Sequence, residues 1–290
     1  MLAFLLGILG ILAFAAEPKI IHPVPWLGDM ACADSVAFLG TSGKIVVLAI
    51  PDGRVAGELV FPGPVQALAW DGRGLLAAGG WNTVRVWRWP EGELLWEDAG
   101  TSTLIRGLAF TDSGLLLGGG ANGLVFAWDL EGRRVWARQA HPGPVWGIAA
   151  SPKGPVFATA GSDRLAVWDL ETTGEIQTFP GRAWDAAFSP DGFLLAAGIG
   201  KILKVWDTAL WLSLWEVWAH ESCTVTVAFS PDGTLLATGS LDQTAKVWDA
   251  GTGRLVFALP PFPAILAAVR FGPFGLLAGS EDGTLALWQP

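Results

Sequence analysis

The residue types with the clearest chemical potential lie in one stretch of the chain that carries a His, two hydroxyl side chains, an Asp and a Trp. In order they are His220, Thr238, Ser240, Asp242 and Trp248. A His beside a hydroxyl and an Asp could form a hydrolase triad, in which the imidazole activates the hydroxyl as a nucleophile. Such a Ser usually sits on a sharp turn between a strand and a helix, and the sequence places no Gly-x-Ser-x-Gly turn of that kind here.

A second stretch carries the same residue types in the same order, as His141, Thr159, Asp163 and Trp168, with a turn that is one residue shorter. A repeated fold returns the same side chains at a regular spacing, which a single active site would not require. The recurrence therefore favours a structural role over a catalytic one. We predict no catalytic residue and no enzymatic activity.

Short β-strands must position these side chains. Residues 224–229, 234–239 and 244–248 show the alternation that is typical of half-buried strands. The first two are separated by Ser-Pro-Asp-Gly at residues 230–233, where Pro presets φ and Gly accepts the left-handed conformation that closes a hairpin turn. A further run at residues 254–259 completes a four-stranded antiparallel unit.

This unit returns along the chain at a nearly constant interval. The Trp of the third strand recurs every 38 to 42 residues, at Trp87, Trp128, Trp168, Trp206, Trp248 and Trp288. One interval before Trp87, a strand of the right character has Leu48 in place of Trp, and residues 26–30 are predicted to form the first strand of that copy. The sequence therefore predicts seven copies, since a sheet this short needs neighbours to bury both of its faces.

Four copies end their third strand with Trp-Asp, and two begin with Ala-His. The pairs are Trp128-Asp129, Trp168-Asp169, Trp206-Asp207, Trp248-Asp249, Ala140-His141 and Ala219-His220. With this signature the chain resembles a bacterial-type WD-repeat β-propeller from about residue 18 to residue 290. The resemblance implies an all-β fold of seven four-stranded antiparallel blades. It also implies that each His, hydroxyl, Asp and Trp set is a hydrogen-bonded network, in which imidazole and hydroxyl donors satisfy a buried carboxylate.

The seventh copy lacks an outer strand of its own. The chain ends directly after the third strand of that copy, whereas residues 18–24 precede the first copy as a spare run. We predict that this N-terminal strand pairs with residues 284–289 and closes the ring, which removes an edge that could otherwise template aggregation. Residues 17–290 are then expected to form a single domain.

Residues 1–16 form an uncharged apolar segment that ends in small residues. The segment is shorter than the roughly 20 residues of a membrane-spanning helix, and it matches the apolar core and cleavage site of a secretory signal without the basic start. We expect export to the periplasm or the outside of the cell, with membrane contact only through this segment if it stays uncleaved. The alternatives are a buried element of the fold and an uncleaved anchor.

The charge of the chain and the positions of its His and Cys residues disfavour nucleic acid and metal ions as partners. The chain has 27 acidic and 18 basic residues and a formal net charge of -9. Because nucleic-acid affinity depends on Lys and Arg that neutralise phosphates, we expect no nucleic-acid partner. The three His residues lie in different copies and neither Cys belongs to a Cys-x-x-Cys motif, so no metal site and no cofactor is predicted.

Two other residue types have simple structural interpretations. Cys32 and Cys223 lie in the first and sixth copies, which are not neighbours in a ring of seven. Their Cα atoms should lie farther apart than the roughly 7 Å that a disulfide allows, and we expect both to be buried small apolar residues. The Gly run at residues 118–120 is placed at the end of a second strand, lacks the Lys and the helix of a phosphate-binding loop, and is predicted to be a turn.

The start of each first strand is expected to point to the mouth of the central channel. Alignment of the copies places six side chains there, namely Gln66, Arg106, Trp146, Trp184, Val225 and Ala267. Arg and Trp are enriched at binding hot spots because they combine contact area with a polar group. We predict a partner-binding patch of Gln66, Arg106, Trp146 and Trp184, extended by Trp81 in a neighbouring turn. Alternatively, Trp146 and Trp184 only fill the channel lining.

Two function classes follow from these features. The leading prediction is a monomeric, non-catalytic WD-repeat scaffold that binds a protein or a peptide through the channel mouth. The alternative is an exported quinoprotein-like propeller, either a quinone-dependent dehydrogenase or an envelope assembly factor, since residues 123–136 resemble the closing motif of that family. The Ser-Pro-Asp-Gly turns, the repeat length of about 40 residues and the few channel side chains that could bind calcium argue against this alternative.

The scarcity of thermolabile side chains predicts a protein from a hot environment. Asn occurs only at positions 82 and 122, and Met only at positions 1 and 30. Proteins of hyperthermophiles contain fewer such residues. We expect a melting temperature above about 70 °C in a thermal unfolding experiment, because ordinary domains unfold at lower temperatures. A transition at about 45–65 °C would contradict this prediction.

Overall fold

The computed structural model describes residues 18–289, and every regular element in that range is a β-strand. The strands form seven antiparallel sheets of four strands each, which confirms the predicted seven-bladed all-β propeller. Within the described range, no helix is long and apolar enough to cross a membrane. The predicted signal-like segment at residues 1–16 lies outside the described residues.

Each sheet is one blade, with its strands running in order from the channel to the rim. The innermost strands are β2 (Asp29–Cys32), β6 (Ala67–Trp70), β10 (Ile105–Phe110), β14 (Val145–Ala150), β18 (Ala183–Phe188), β22 (Thr224–Phe229) and β26 (Leu266–Gly272). The second strands are β3 (Val36–Gly40), β7 (Leu75–Gly79), β11 (Leu115–Gly120), β15 (Val156–Gly161), β19 (Leu194–Ile199), β23 (Leu235–Ser240) and β27 (Gly275–Ser280). The third strands are β4 (Lys44–Ala49), β8 (Val84–Arg88), β12 (Leu124–Asp129), β16 (Arg164–Asp169), β20 (Ile202–Asp207), β24 (Ala245–Asp249) and β28 (Leu285–Trp288). The outer strands are β5 (Val55–Val60), β9 (Glu93–Asp98), β13 (Arg134–Gln139), β17 (Glu175–Pro180), β21 (Ser213–Trp218), β25 (Leu255–Ala258) and, for the seventh blade, β1 (Lys19–Ile21).

The faces of the blades are buried against one another, which explains the high apolar content of the chain. Neighbouring innermost strands contact each other all round the ring, including β26 with β2. The six third-strand Trp side chains are at most 5% exposed, and Leu48, which replaces this Trp in the first blade, is fully buried. Because complete burial of one large apolar side chain contributes about 2 kcal/mol, the interfaces between blades carry much of the stability.

The turn between the first and second strands is fixed by its own side chains. In the sixth blade Ser230 Oγ donates to Asp232 Oδ1 at 2.5 Å and accepts from Leu235 N at 2.9 Å. Gly233 has a φ of +73°, a conformation that other residues adopt only with strain. The fifth blade makes the same two side-chain contacts, so the predicted Ser-Pro-Asp-Gly turns are present.

The first strand of the first blade begins later than predicted. The prediction was residues 26–30, whereas β2 begins at Asp29. Trp26 instead folds back over Gly28, where an added Cβ would lie 2.7 Å from the indole ring and 2.1 Å from the carbonyl oxygen of Val65. The sequence before Asp29 therefore makes a close turn that only Gly allows.

The Gly run at residues 118–120 lies at the end of the second strand of its blade, as predicted, but it belongs to β11, so the prediction of a turn was wrong. An added Cβ at Gly118 would lie 2.7 Å from the Trp128 ring, and one at Gly119 would lie 2.6 Å from Val145. The missing side chains let large neighbours approach the strand on both faces. Gly here serves packing rather than a turn.

The two Cys residues are free, as predicted, but both are partly buried rather than fully buried. Burial raises the pKa of the Cys32 thiol to about 12, so this thiol is not a reactive thiolate at neutral pH.

The N-terminal strand closes the ring at its outer edge, as predicted. β1 pairs antiparallel with β28, with Lys19 opposite Leu287 and Ile21 opposite Leu285. Just after β1, His22 Nδ1 lies 3.0 Å from Thr284 Oγ1. The closing blade is therefore built from both ends of the described chain, and β1 covers the edge of β28.

Deletion of residues 17–24 tests this closure. We expect the free energy of unfolding to fall by at least about 3 kcal/mol, because the deletion removes a strand pairing and the buried Val24 side chain. Denaturant unfolding measures the change. Ile20→Thr is the matched control, since Ile20 is 48% exposed and the substitution keeps the backbone pairing. An equal, small effect of both changes would contradict the prediction.

Candidate functional site

The innermost strands enclose a central channel, and its mouth is a cavity of about 290 Å³. The six positions that the sequence alignment placed at the mouth all line this cavity, namely Gln66, Arg106, Trp146, Trp184, Val225 and Ala267. Trp81 does not line it. Trp81 lies in the turn after β7, and its backbone bridges to Leu104, two residues before Arg106.

Three of these side chains stack on one another across the third, fourth and fifth blades. The guanidinium carbon of Arg106 lies 4.5 Å from the centre of a Trp146 ring. The ring centres of Trp146 and Trp184 are 4.4 Å apart, with their planes inclined by 37°. A guanidinium over an indole is attracted by the ring quadrupole, which contributes about 0.5–1 kcal/mol at an exposed site. The stack therefore holds three large side chains in one arrangement.

The stack combines accessible apolar surface with unused hydrogen-bond donors. Gln66, Arg106, Trp146 and Trp184 are all partly exposed, and Trp81 is 67% exposed. The Nε atom of Arg106 and the indole Nε1 atoms of the two stacked Trp residues are buried and have no acceptor within the described part of the chain. An unsatisfied buried donor costs about 1–3 kcal/mol, so the stack is retained at a cost to stability.

Arg106 carries a charge that the protein does not neutralise. Burial lowers the pKa of its guanidinium, and none of the salt bridges among residues 18–289 includes it. An Arg side chain nevertheless remains charged in proteins. The mouth therefore presents an unpaired positive charge in a protein whose net charge is -9.

Below the mouth, a charged pair joins the two blades that meet where the ring closes. Arg270 Nη2 donates to Asp29 Oδ1 at 2.9 Å, and Arg270 Nε donates to Met30 O at 3.1 Å. Arg270 Nη1 donates to Thr226 Oγ1 at 3.1 Å. Because Asp29, Thr226 and Arg270 belong to the first, sixth and seventh blades, one side chain joins three blades where the ring closes.

A repeated contact links neighbouring innermost strands at this level. Asp29 Oδ2 accepts a hydrogen bond from Leu68 N at 2.8 Å, and Asp185 Oδ2 accepts one from Val227 N at 3.1 Å. Thr226 accepts a hydrogen bond from the seventh blade in the same way. A side-chain acceptor of one blade therefore satisfies a backbone amide of the next.

Burial shifts the titration of these charged groups. Burial raises the pKa of Asp29, although Arg270 opposes the rise. Burial raises the pKa of Asp185 to about 6, again against the effect of Arg270. Burial alone would lower the pKa of Arg270, but the two carboxyl groups outweigh it and raise that pKa. Arg270 is thus held in its charged form.

Sequence reasoning missed this charged centre. Asp185 and Thr226 directly follow the mouth positions Trp184 and Val225, so a polar residue one place after the mouth was the available signal. The pairing of Asp29 with Arg270 joins residues that are 241 apart in the chain. No local pattern can indicate a contact of that kind.

In the fourth blade, the predicted network residues form a chain of hydrogen bonds. Trp168 Nε1 donates to Thr159 Oγ1 at 2.8 Å, and His141 Nε2 lies 2.8 Å from the same oxygen. His141 Nδ1 lies 2.7 Å from Asp163 Oδ1. Because the Thr159 hydroxyl oxygen accepts a hydrogen bond from the Trp168 indole, the hydroxyl proton is free to be donated to His141 Nε2. The other ring nitrogen, Nδ1, then carries the proton and donates it to the Asp163 carboxylate.

In the sixth blade, one more residue takes part in the hydrogen-bonded network. Trp248 Nε1 donates to Thr238 Oγ1 at 2.9 Å, and His220 Nε2 lies 2.8 Å from that oxygen. His220 Nδ1 lies 2.9 Å from Thr244 Oγ1, whose hydroxyl donates to Asp242 Oδ1 at 2.6 Å. The Thr244 hydroxyl therefore adds a second link beside the direct approach of His220 Nδ1 to Asp242 Oδ2 at 3.3 Å, and sequence reasoning missed this Thr.

Ser240 stands beside this network rather than in it. Its Oγ accepts a hydrogen bond from Asp242 N at 3.0 Å, so it shapes the turn between β23 and β24. The seventh blade repeats the pattern Ser-x-Asp-x-Thr, and there His22 contacts Thr284 as His220 contacts Thr244 in the sixth blade. That repeated pattern was the signal that could have assigned His22.

The third blade uses a different acceptor for its Trp. Gly118 stands where Thr159 and Thr238 stand in the other blades, so no hydroxyl is available. Trp128 Nε1 instead donates to Asp98 Oδ2 at 2.7 Å, and Arg134 Nη2 donates to the same oxygen at 2.6 Å. Asp98 comes from the outer strand of the preceding blade, which the sequence pattern did not indicate.

Both network imidazoles are neutral and buried. Burial lowers the pKa of His220 to about 4, with Asp242 opposing, and it lowers the pKa of His141, with Asp163 opposing. Each His is 1% exposed. The geometry therefore suits fixing a blade to its neighbouring turn. No group of three or more His, Cys, Asp or Glu that could hold a metal ion occurs among residues 18–289.

Comparison with protein families identifies WD40 repeats in the chain. The family model described as "WD domain, G-beta repeat" matches residues 132–169, 174–207 and 212–249. Each match contains the outer strand of one blade and the first three strands of the next. The sequence repeat is thus offset from the blade by one strand, which is why the last blade needs a strand from the N-terminus.

A curated relative shares a shorter segment. Over 77 residues the chain is 35% identical to "Mitochondrial division protein 1" of Pyricularia oryzae. The segment covers 27% of this chain and 12% of that protein. The similarity therefore concerns a small part of the relative's length.

Arg270→Met tests the charged centre of the channel. We expect a loss of about 3–5 kcal/mol in the free energy of unfolding, because the buried Asp29 carboxylate loses its partner. Arg54→Met is the control, since Arg54 pairs with Asp52 on the surface and such pairs contribute about 0–1 kcal/mol. Denaturant unfolding compares the two variants. Equal losses would contradict the assignment.

The pH dependence of His220 tests the network of the sixth blade. Its folded pKa of about 4 lies below the ordinary value of 6.5. The His therefore contributes stability that is fully present above pH 6.5 and is lost as the pH falls through about 4, on the order of 3 kcal/mol in total. In NMR titrations, the His220 ring signals should stay constant from pH 8 to pH 5.5. A midpoint near 6.5 would show that the imidazole is not held neutral.

Proposed function

Because the chain is a seven-bladed β-propeller that carries WD40 repeats, we propose that it is a non-catalytic scaffold that binds a protein or a peptide at its channel mouth. WD40 propellers generally serve as protein-interaction scaffolds. The observation that carries the proposal is the stack of Arg106, Trp146 and Trp184, which lies partly exposed on the wall of the mouth cavity.

The stack has the properties of a binding hot spot. Trp and Arg dominate such sites because they provide a large contact area with few rotatable groups and a polar edge. Their mutual contacts hold the side chains in place before a partner arrives, so less conformational entropy is lost on binding. Gln66 adds an amide on one side, and Trp81 adds an exposed ring in a neighbouring turn.

The absence of catalysis is part of the proposal. The His and Thr side chains that could have served as base and nucleophile are bonded to one another inside the blades. Both His residues are buried beyond the reach of a substrate. Their hydrogen bonds attach strands and turns, which is the role that suits a rigid scaffold.

The quinoprotein-like alternative rests on the resemblance of residues 123–136 to a closing motif, and no feature of the described fold adds to it. A quinone with calcium would need acidic and amide ligands close together. The described residues contain no cluster of three or more His, Cys, Asp or Glu suited to a metal ion. The relative named for mitochondrial division shares too small a segment to carry that role to this chain.

We also propose that the protein is exported and acts as a monomer. The apolar segment at residues 1–16 supports export, and the pairing of β1 with β28, which leaves the edge of β28 unavailable to another chain, supports the monomer. N-terminal sequencing of the protein from its native cells tests whether residues 1–16 are removed.

Affinity capture from native cell extract tests the binding site. We expect Trp146→Ala together with Trp184→Ala to abolish capture of the partners that the unchanged protein retains, because the largest contact surface of the mouth is lost. Phe193→Ala is the matched control, since Phe193 is a 50% exposed aromatic residue in a turn away from the mouth. Circular dichroism verifies that each variant is folded. An unchanged set of partners in the double variant would overturn the proposal.

A further inference from the structure

The stacked residues continue into a longer surface, which we name the mouth strip and define as Arg106, Trp146, Trp184, Arg182 and Lys201. Arg182 lies two residues before Trp184, at the entry to β18. Gly200 N donates to Arg182 O at 3.1 Å, which places the neighbouring Lys201 beside it. The strip therefore has two Trp residues at its centre and a positive charge at each end.

The cations of the strip are unpaired. Arg106, Arg182 and Lys201 form no salt bridge among the described residues, whereas most of the other Lys and Arg side chains do. Arg182 and Lys201 are exposed, and Lys201 Nζ lies 5.2 Å from the centre of a Trp218 ring. The chain as a whole has 27 acidic and 18 basic residues, whereas this surface carries three unpaired cations. A partner with negative charge could bind there.

Two carboxyl groups below the strip are already engaged. Asp29 accepts hydrogen bonds from Arg270, Met30 N and Leu68 N. Asp185 lies below Trp184 and accepts hydrogen bonds from two backbone amides. Glu281 lines the cavity from the seventh blade, on the side away from the strip. The third to fifth blades therefore present unpaired positive charge at the mouth, whereas Arg270 of the seventh blade is paired with Asp29.

We propose that the mouth strip binds an acidic, extended peptide segment, with one carboxylate on Arg106, another on Arg182 and Lys201, and an apolar side chain against Trp146 and Trp184. The inference rests on the proposed function and adds the chemistry of the partner. Charge complementarity identifies the occupant, since an unpaired Arg gains a strong charge-assisted hydrogen bond from a carboxylate.

A single-stranded nucleic acid is the competing occupant, because bases stack on aromatic side chains and phosphates bind Arg and Lys. A net charge of -9 repels a polyanion over the whole surface, whereas a short peptide meets only the local field of the strip. The peptide is therefore the occupant that the charge distribution favours.

An array of random octapeptides tests the inference on the full-length protein. We expect retained peptides to be enriched in Asp and Glu at least about threefold over the array, and an apolar residue to lie between the acidic ones. Binding of a fluorescein-labelled peptide from that set should weaken at least about tenfold in Arg106→Gln and in Arg182→Gln, since each loses one charge-assisted contact. Arg106→Lys should restore part of the affinity. Arg54→Gln is the control, because Arg54 is an exposed Arg on the first blade, away from the strip.

The outcomes separate this inference from the proposed function. Peptides that bind through Trp146 and Trp184 without acidic enrichment, or with enrichment in Lys and Arg, would overturn the inference and leave the proposed function standing. If no peptide binds in a way that depends on Trp146 and Trp184, both the inference and the proposed function are overturned. A labelled ten-residue oligothymidylate is tested in parallel, and tighter binding of this probe than of the acidic peptide would assign the strip to nucleic acid instead.

Discussion

The fold depends on the closure of a ring whose last blade is assembled from both ends of the described chain. At the rim, β1 pairs with β28. At the channel, Arg270 bonds Asp29 of the first blade and Thr226 of the sixth. Each blade buries its faces only against its neighbours, so an open seam would expose apolar surface on two blades at once. The closure of the ring is therefore stabilised both at the channel and at the rim.

Closure also creates the candidate binding site. Arg106, Trp146 and Trp184 are separated by about 40 residues from one copy to the next, yet their side chains stack because the ring holds three innermost strands side by side. The hydrogen-bonded networks of the fourth and sixth blades hold the turns that frame the mouth. A rigid frame and a preformed stack together give a surface that can bind a partner with little rearrangement.

The sequence predicted what repeats and missed what occurs once. The Trp period predicted seven blades, the strand count predicted the closing role of β1, and alignment of the first strands identified the residues of the mouth. The pairing of Asp29 with Arg270 has no counterpart in other blades, so periodicity could not indicate it. Asp98 was missed for a different reason, because the sequence shows Gly118 in place of the hydroxyl but does not show which acceptor replaces it.

The central claim is that the closed ring brings the third, fourth and fifth blades together as one binding surface at the channel mouth. Amide hydrogen exchange, measured with and without a bound partner or selected peptide, tests it most directly. The account predicts slower exchange at the beginnings of β10, β14 and β18, with the rest of the ring unchanged. Protection confined to the outer strands, or to the turns at the opposite end of the channel, would contradict it.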